Sequence, residues 1–251
     1  MPDMGNYADH AKYWDWSGHD RTDEHVYWLN YAKNYGRNVL IPMCALAETG
    51  AYMAERGLNV YAFDLTPEMI DEGIKRYGNT DNLHYFQGDV TNFHFDIPPI
   101  DFCFSMDFGH LPTLEDVQKA LRCINRQLRP GGALVIETTL PPTESSTYEG
   151  RTFMPKEQVY PGLRVWKTTS GGRFDADTGR HYINQTFHAQ DETGHVEHFD
   201  HAFYLQSYPR VAWHDAFDKA GFDIIKECND RDSKTWQSGD GELIIEAVKR
   251  G

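Results

Sequence analysis

The chain has 251 residues, is 40% hydrophobic and 25% charged, and carries a net charge of −14. That length suits one α/β domain with an elaboration, large enough to bury a core without staples. The acid excess argues against nucleic-acid binding, no apolar run approaches the ~18 residues of a membrane span, and four scattered cysteines without a CxxC pair read as reduced thiols of a cytoplasmic protein.

Residues 1–36 are polar, aromatic-rich and helical in character. Asp20 or Thr22 caps a helix carrying Val26, Leu29, Tyr31 and Ala32, which Gly36 ends. Val39-Leu40-Ile41 reads as a short buried strand, residues 48–56 as a helix closed by Gly57, and residues 59–63 as a second strand with Asp64 at its end. Thr66 caps the next helix and Pro67 occupies its first turn, where a missing N–H does no harm. A third strand spans residues 83–86 and leads to Gly88-Asp89. A fourth, residues 101–105, is followed by Met106-Asp107-Phe108-Gly109-His110. Thr113 caps a helix to about residue 128, and Pro130-Gly131-Gly132 turns the chain into a fifth strand, residues 133–137. Strands alternating with helices imply a Rossmann-like, doubly wound, mostly parallel sheet.

The pattern then changes. Residues 151–208 lack helical periodicity and read as an inserted antiparallel β-meander with turns at Ser170-Gly171-Gly172, Asp177-Thr178-Gly179 and Glu192-Thr193-Gly194. Pro209 opens a helix that Ala220-Gly221-Phe222 ends, and strands at 223–228 and 242–248 bring the sheet to seven. The expected organisation is a helical cap (1–36), a main domain (37–150 and 209–251) and the meander (151–208), which serves as a lid or as a contact with a second copy.

Residues 38–74 form a nucleotide-binding βαβ unit, with Asp64 placed to grip ribose hydroxyls. The loop after its first strand, Pro42-Met43-Cys44-Ala45-Leu46-Ala47, breaks the glycine-rich rule for such units.

On VLIPMCALAETG, FDLTPEMI, QGDV, DFCFSMDFGHL, LRPGGALVIE and AGFDII, in that order, the chain resembles class I S-adenosylmethionine-dependent methyltransferases over nearly its full length. Within them it is similar to the small-molecule N-methyltransferases of the sugar and glycine type, through HAKYWDW, the meander and YPRVAWHDAFDKAGF. The resemblance implies S-adenosylmethionine as cofactor, a small-molecule acceptor, most simply an amine nitrogen, and no nucleic-acid or membrane partner. The family's Gly-x-Gly-x-Gly falls on Met43, Ala45 and Ala47. Glycine there permits positive φ, which costs alanine about 1–2 kcal/mol, so a reshaped loop is expected, with Met43 near the methionyl arm.

Asp64 is the expected ribose ligand and Asp89 the acceptor of the adenine amine. Leu65, Met69 and Val90 pack on adenine, and Met43, Ala45 and Met106 complete the cofactor set. Each also has a plainer reading: Asp64 as a helix-terminus charge, Asp89 as a turn residue, the apolar three as core. Glu48 serves either the macrodipole or the cofactor ammonium. His110 is the first candidate to orient or deprotonate the acceptor, followed by Tyr13 and by Asp107 as a partner of the ammonium or of His110. A loop cap, an aromatic staple and a loop hydrogen bond are their structural alternatives. No metal site is expected, because His198 and His201 point to opposite faces of a strand and Glu197 with His201 makes only two ligands. Arg164, Trp166, Tyr182, His201 and Tyr204 are equal candidates for roofing the acceptor pocket. An oxygen or carboxylate acceptor, or a catalytically silent ligand-binding protein, are the alternative functions.

Overall fold

The computed structural model describes residues 7–106, 108–156, 159–231, 235–237, 239 and 241–251. Two sheets organise it. The first has seven strands: β1 (Asn38–Pro42), β2 (Asn59–Asp64), β3 (Leu83–Gln87), β4 (Ile100–Ser105), β5 (Leu128–Thr139), β11 (Phe222–Cys228) and β12 (Glu242–Lys249). Their order is β11-β12-β5-β4-β1-β2-β3, parallel except that β12 runs antiparallel to both neighbours. The second, antiparallel sheet contains β6 (Ser146–Tyr148), β7 (Arg151–Phe153), β8 (Leu163–Asp175), β9 (Arg180–Asp191) and β10 (Val196–Gln206).

Alternation in β1 gives the sheet two buried faces. Leu40 joins Phe63, Trp213, Phe217 and Phe222 on the face covered by α5 (Leu114–Gln127) and α6 (Arg210–Lys219). Val39 and Ile41 join Trp28, Phe102 and Phe104 on the face covered by α2 (Thr22–Lys33) and α3 (Glu48–Ala54). A strand's side chains point alternately to opposite faces, so an apolar run is what a doubly covered strand requires. Trp28, fully buried, stacks on Phe104 at 4.3 Å between ring centres. Glu246 on β12 accepts from the hydroxyls of Tyr31 (2.5 Å) and Tyr35, fixing α2 against the sheet. No described helix is long and apolar enough to cross a membrane.

Two glycine pairs expected at turns lie inside strands instead. Ser170-Gly171-Gly172 does not turn the chain: β8 runs through it, with its register to β9 shifted between Thr169 and Gly172. Gly171 has φ +100°, and a Cβ on Gly172 would lie 2.8 Å from the Tyr182 carbonyl, so these glycines build a bulge. Likewise Pro130-Gly131-Gly132 is absorbed in β5, whose register to β4 shifts between Ile100 and Phe102. Thr113 does cap α5, accepting from the Asp116 N–H at 3.1 Å. Thr66 stands at the N-cap of α4 (Pro67–Tyr77) with no side-chain cap bond.

The entry to β1 is held by one carboxylate. Asp101 accepts from the N–H groups of Arg37 (2.9 Å) and Asn38 (3.0 Å) and from Arg129 Nε (2.7 Å). Burial pulls its pKa up, but these donors outweigh it and hold the carboxyl below the usual range. A Cβ on Gly36 would lie 2.3 Å from the Asp101 carboxyl carbon. Gly36→Ala is expected to cost about 1–3 kcal/mol of stability by overpacking this junction, read as a lower urea midpoint at unchanged m-value.

Candidate functional site

The site lies where the parallel strands end, at the switch point between β1 and β4. The loop leaving β1 takes a path that its composition disfavours. Met43, Ala45 and Ala47 have φ of 52°, 49° and 58°, all left-handed. These are the three positions where the resemblance puts glycine. Side-chain-bearing residues take the left-handed backbone that glycine adopts without strain, at about 1–2 kcal/mol each. Asp64 at the end of β2 fixes this path, accepting from the Ala45 N–H and from the Thr66 N–H, each at 2.9 Å. Cys44 N–H donates to the Phe63 carbonyl at 3.0 Å, and the Cys44 thiol is buried, which pushes its pKa up.

A small crevice of about 70 Å³ runs along this loop, lined by Met43, Ala45, Glu48, Met106, Trp14 and Arg21 among others. The last two belong to the N-terminal segment, which begins with α1 (Tyr7–Ala11) and lies over the loop. Ala11 packs with Leu46 and Met69, and Asp15 pairs with Arg76 of α4. Glu48 faces His25 Nε2 at 3.3 Å and Arg21 at 3.6 Å; despite burial, these partners hold its carboxyl below the usual range.

The remaining cofactor candidates divide. Leu65, 58% exposed, stands beside Asp64 as an open apolar face. Asp89 is exposed and accepts from Thr91 N–H and Oγ1, both at 2.8 Å. Val90 and Met69 are buried in clusters, Val90 with Phe63 and Phe93, Met69 beneath α1. For those two the packing alternative describes the structure.

A second, larger cavity of about 850 Å³ opens between the ends of β4, β5 and β12 and the antiparallel sheet. Glu137, Thr138 and Thr139 line one side, His181, Ile183 and Leu205 the other. Arg231 grips Glu137 bidentately at 2.7 and 2.8 Å and reaches Glu24 at 2.9 Å, closing that end. Met106 lines both the crevice and the cavity.

His110 is the last residue of a short 3-10 turn after β4 (Phe108–His110), and Tyr208 steadies the exit from that turn by donating to the Leu111 carbonyl at 2.8 Å. His110 Nε2 lies 3.2 Å from the hydroxyl of Tyr7. Tyr13 is not brought to His110. It packs against Tyr160 and Phe199, where burial and the Glu197 charge raise its pKa. Tyr7 is the tyrosine that sequence reading missed, though a helical face was there to find: Tyr7, His10 and Ala11 stand at i, i+3 and i+4. Asp107 lies outside the described residues. Of the roofing candidates, Tyr182 lines the cavity and Arg164 a separate groove beside Trp16. Trp166 stacks on His188, Tyr204 lies against Tyr182 and under Arg180, and His201 is buried against Tyr7. Among the described residues no group of three or more His, Cys, Asp or Glu is arranged to hold a metal ion.

Residues 44–136 match the sequence model of the family described as "Methyltransferase domain". A demethylmenaquinone methyltransferase of Staphylococcus haemolyticus is 30% identical over 131 residues, covering 51% of each chain. One of Clavibacter sepedonicus is 30% identical over 108 residues, covering 43% of each. The chain thus spans about half the length of the curated relatives it matches. Over nearly the full chain the fold resembles the sugar N-methyltransferase KedS8 of Streptoalloteichus, with TM-score 0.76, 18% identity and coverage of 100% of this chain and 96% of that one. It also resembles a S-adenosylmethionine-dependent methyltransferase of Clostridium acetobutylicum, with TM-score 0.74, 13% identity and coverage of 98% and 99%. At such identities the likeness is one of fold.

The left-handed loop has a measurable cost. Ala45→Gly is expected to raise stability by about 0.5–1 kcal/mol, the relieved strain less the added unfolded-state entropy, seen as a higher melting temperature. His10 supplies a pH signature. Burial, then the charges of His201 and Lys167, push its pKa from 6.5 down to about 3. The unfolded chain therefore binds a proton that the folded chain refuses between those values. Stability is expected to fall as pH drops from 6.5 towards 3, by up to about 1.4 kcal/mol per unit from this group. Urea titrations across that window should find this component missing in His10→Phe.

Proposed function

We propose that this chain, whose residues 44–136 match a methyltransferase domain, binds S-adenosylmethionine along the loop crevice and methylates a small-molecule acceptor held in the adjoining cavity, at an amine nitrogen. The observation that carries the reading is the position of Met106, one residue with a side in each chamber. A methyl donor in the crevice and an acceptor in the cavity would meet across it.

The residues present fit the cofactor. Asp64 sits where ribose hydroxyls would donate, Leu65 offers an uncovered apolar platform for a purine, and the left-handed turns keep the loop backbone close to the crevice. A Cβ on Gly73 would come 2.7 Å from the Leu46 carbonyl, so α4 packs as tightly on this loop as a helix can. Glu48, kept ionised by His25 and Arg21, suits the donor's ammonium. At about 70 Å³ the crevice is well below the roughly 300 Å³ at which ligand pockets begin. Loading therefore requires the segment bearing Trp14 and Arg21 to lift.

When bound, the cofactor supplies an electrophilic methyl group on a sulfonium. The chain's task is then positional: hold a neutral amine in line, exclude water, and accept charge as the ammonium forms. Tyr7 and His110 are the pair for orienting the amine and taking its proton, next to a cavity whose wall includes Gly109, the residue before His110, together with Glu137 and Thr138. The full-length likeness in fold to a sugar N-methyltransferase favours nitrogen over oxygen as the acceptor.

Isothermal titration tests the premise. The chain should bind both S-adenosylmethionine and its demethylated product, and Asp64→Asn should weaken binding at least about tenfold, the worth of one charge-assisted hydrogen bond. Absence of binding for both ligands overturns the proposal.

A further inference from the structure

Three phenylalanines stand on the inner face of the antiparallel sheet, with polar side chains between them. Phe187 of β9 and Phe199 and Phe203 of β10 face the N-terminal segment. Among them sits His201, 1% exposed, beside Gln185, 8% exposed. Gln185 Nε2 lies 2.9 Å from His201 Nδ1. With the amide nitrogen as donor, Nδ1 accepts and the ring proton belongs on Nε2. The ring of His201 meets that of Tyr7 nearly at right angles, 82°, with centres 4.6 Å apart. Phe203 stands beside both His201 and His110, at 4.7 and 5.8 Å, and His10 of α1 also packs against His201, at 5.0 Å. Tyr7 then reaches His110 at 3.2 Å.

A buried histidine with a buried amide is a costly way to fill this position. Desolvating two polar groups is unfavourable unless they satisfy each other, and an aromatic hydrocarbon would pack the same space more cheaply. We propose that Gln185 and His201 are positioning residues: Gln185 fixes the His201 ring, and His201 fixes the tilt of Tyr7 so that its hydroxyl points at His110. The antiparallel sheet then sets the geometry of the acceptor pair as well as walling the cavity. His201 acts through Tyr7 and does not touch the acceptor. The catalytic meaning rests on the reading that Tyr7 and His110 serve the acceptor amine; the positioning itself does not.

The test is made on the intact chain without donor or acceptor. The His110 Nε2 resonance of ¹⁵N-labelled protein reports whether a hydroxyl donates to it. Tyr7→Phe removes that donor and marks the resonance of the unbonded state. His201→Leu, close in volume, is expected to move the resonance most of the way to that mark, and Gln185→Met part of the way in the same direction. Wild-type resonance in the folded His201 variant overturns the proposal, as does a resonance indifferent to Tyr7→Phe. Should His201→Leu fail to fold, Gln185→Met decides alone: a His110 resonance at the wild-type position then overturns it. Titration with S-adenosylmethionine separates the two claims, since failure of the methyltransferase reading appears as no donor binding by the wild type, whatever the spectra show.

Discussion

A single carboxylate holds the crevice in shape. Asp64 receives the Ala45 N–H from one side and the Thr66 N–H from the other, which ties the end of β2 to the loop after β1 and to the start of α4. Without that tie, three consecutive alternate residues with side chains would have reason to leave the left-handed region. Strain of this kind persists where neighbouring structure over-determines it. Here the over-determination comes from Asp64, from the Cys44 N–H on the Phe63 carbonyl, and from Leu46 wedged against Ala11 and Met69.

The consequences spread outward from that loop. Its tight path lets α4 approach at Gly73, and its apolar Leu46 gives the N-terminal segment something to close upon. Closure is what carries Tyr7 to His110, across 103 positions of sequence, and seats it on the inner face of the antiparallel sheet. The loop crevice and the Tyr7–His110 contact are thus joined through the N-terminal segment, and the crevice meets the larger cavity at Met106.

Much of this was legible beforehand, because the governing signals are local. The apolar run Val39-Leu40-Ile41, the Thr113 cap and the strand-ending Asp64 each announce an element through chemistry within a few residues. The mostly parallel character of the seven-stranded sheet follows once strands and helices alternate. What escaped was non-local. Nothing near Ser170-Gly171-Gly172 says whether two glycines turn a chain or bulge a strand; the answer depends on whether β9 and β6 lie alongside. The choice of Tyr7 over Tyr13 depends on which face of a five-residue helix meets a sheet contributed more than 170 residues later. Met69 packs with Ala11 of α1 and with Leu46, a contact that only the tertiary arrangement could reveal. The loop's backbone is the converse case: its residue types argue against left-handed φ, and the surroundings impose it.

The Asp15–Arg76 ion pair, beside an indole and a guanidinium drawn over the crevice, has a corollary for loading. On the proposed reading, a ligand enters the space beneath only while that strap is unfastened, so the ion pair competes with loading. Residues 14–21 then bear on loading as much as the loop that grips the ligand does, and salt that weakens the ion pair is expected to enlarge the fraction of chains ready to load.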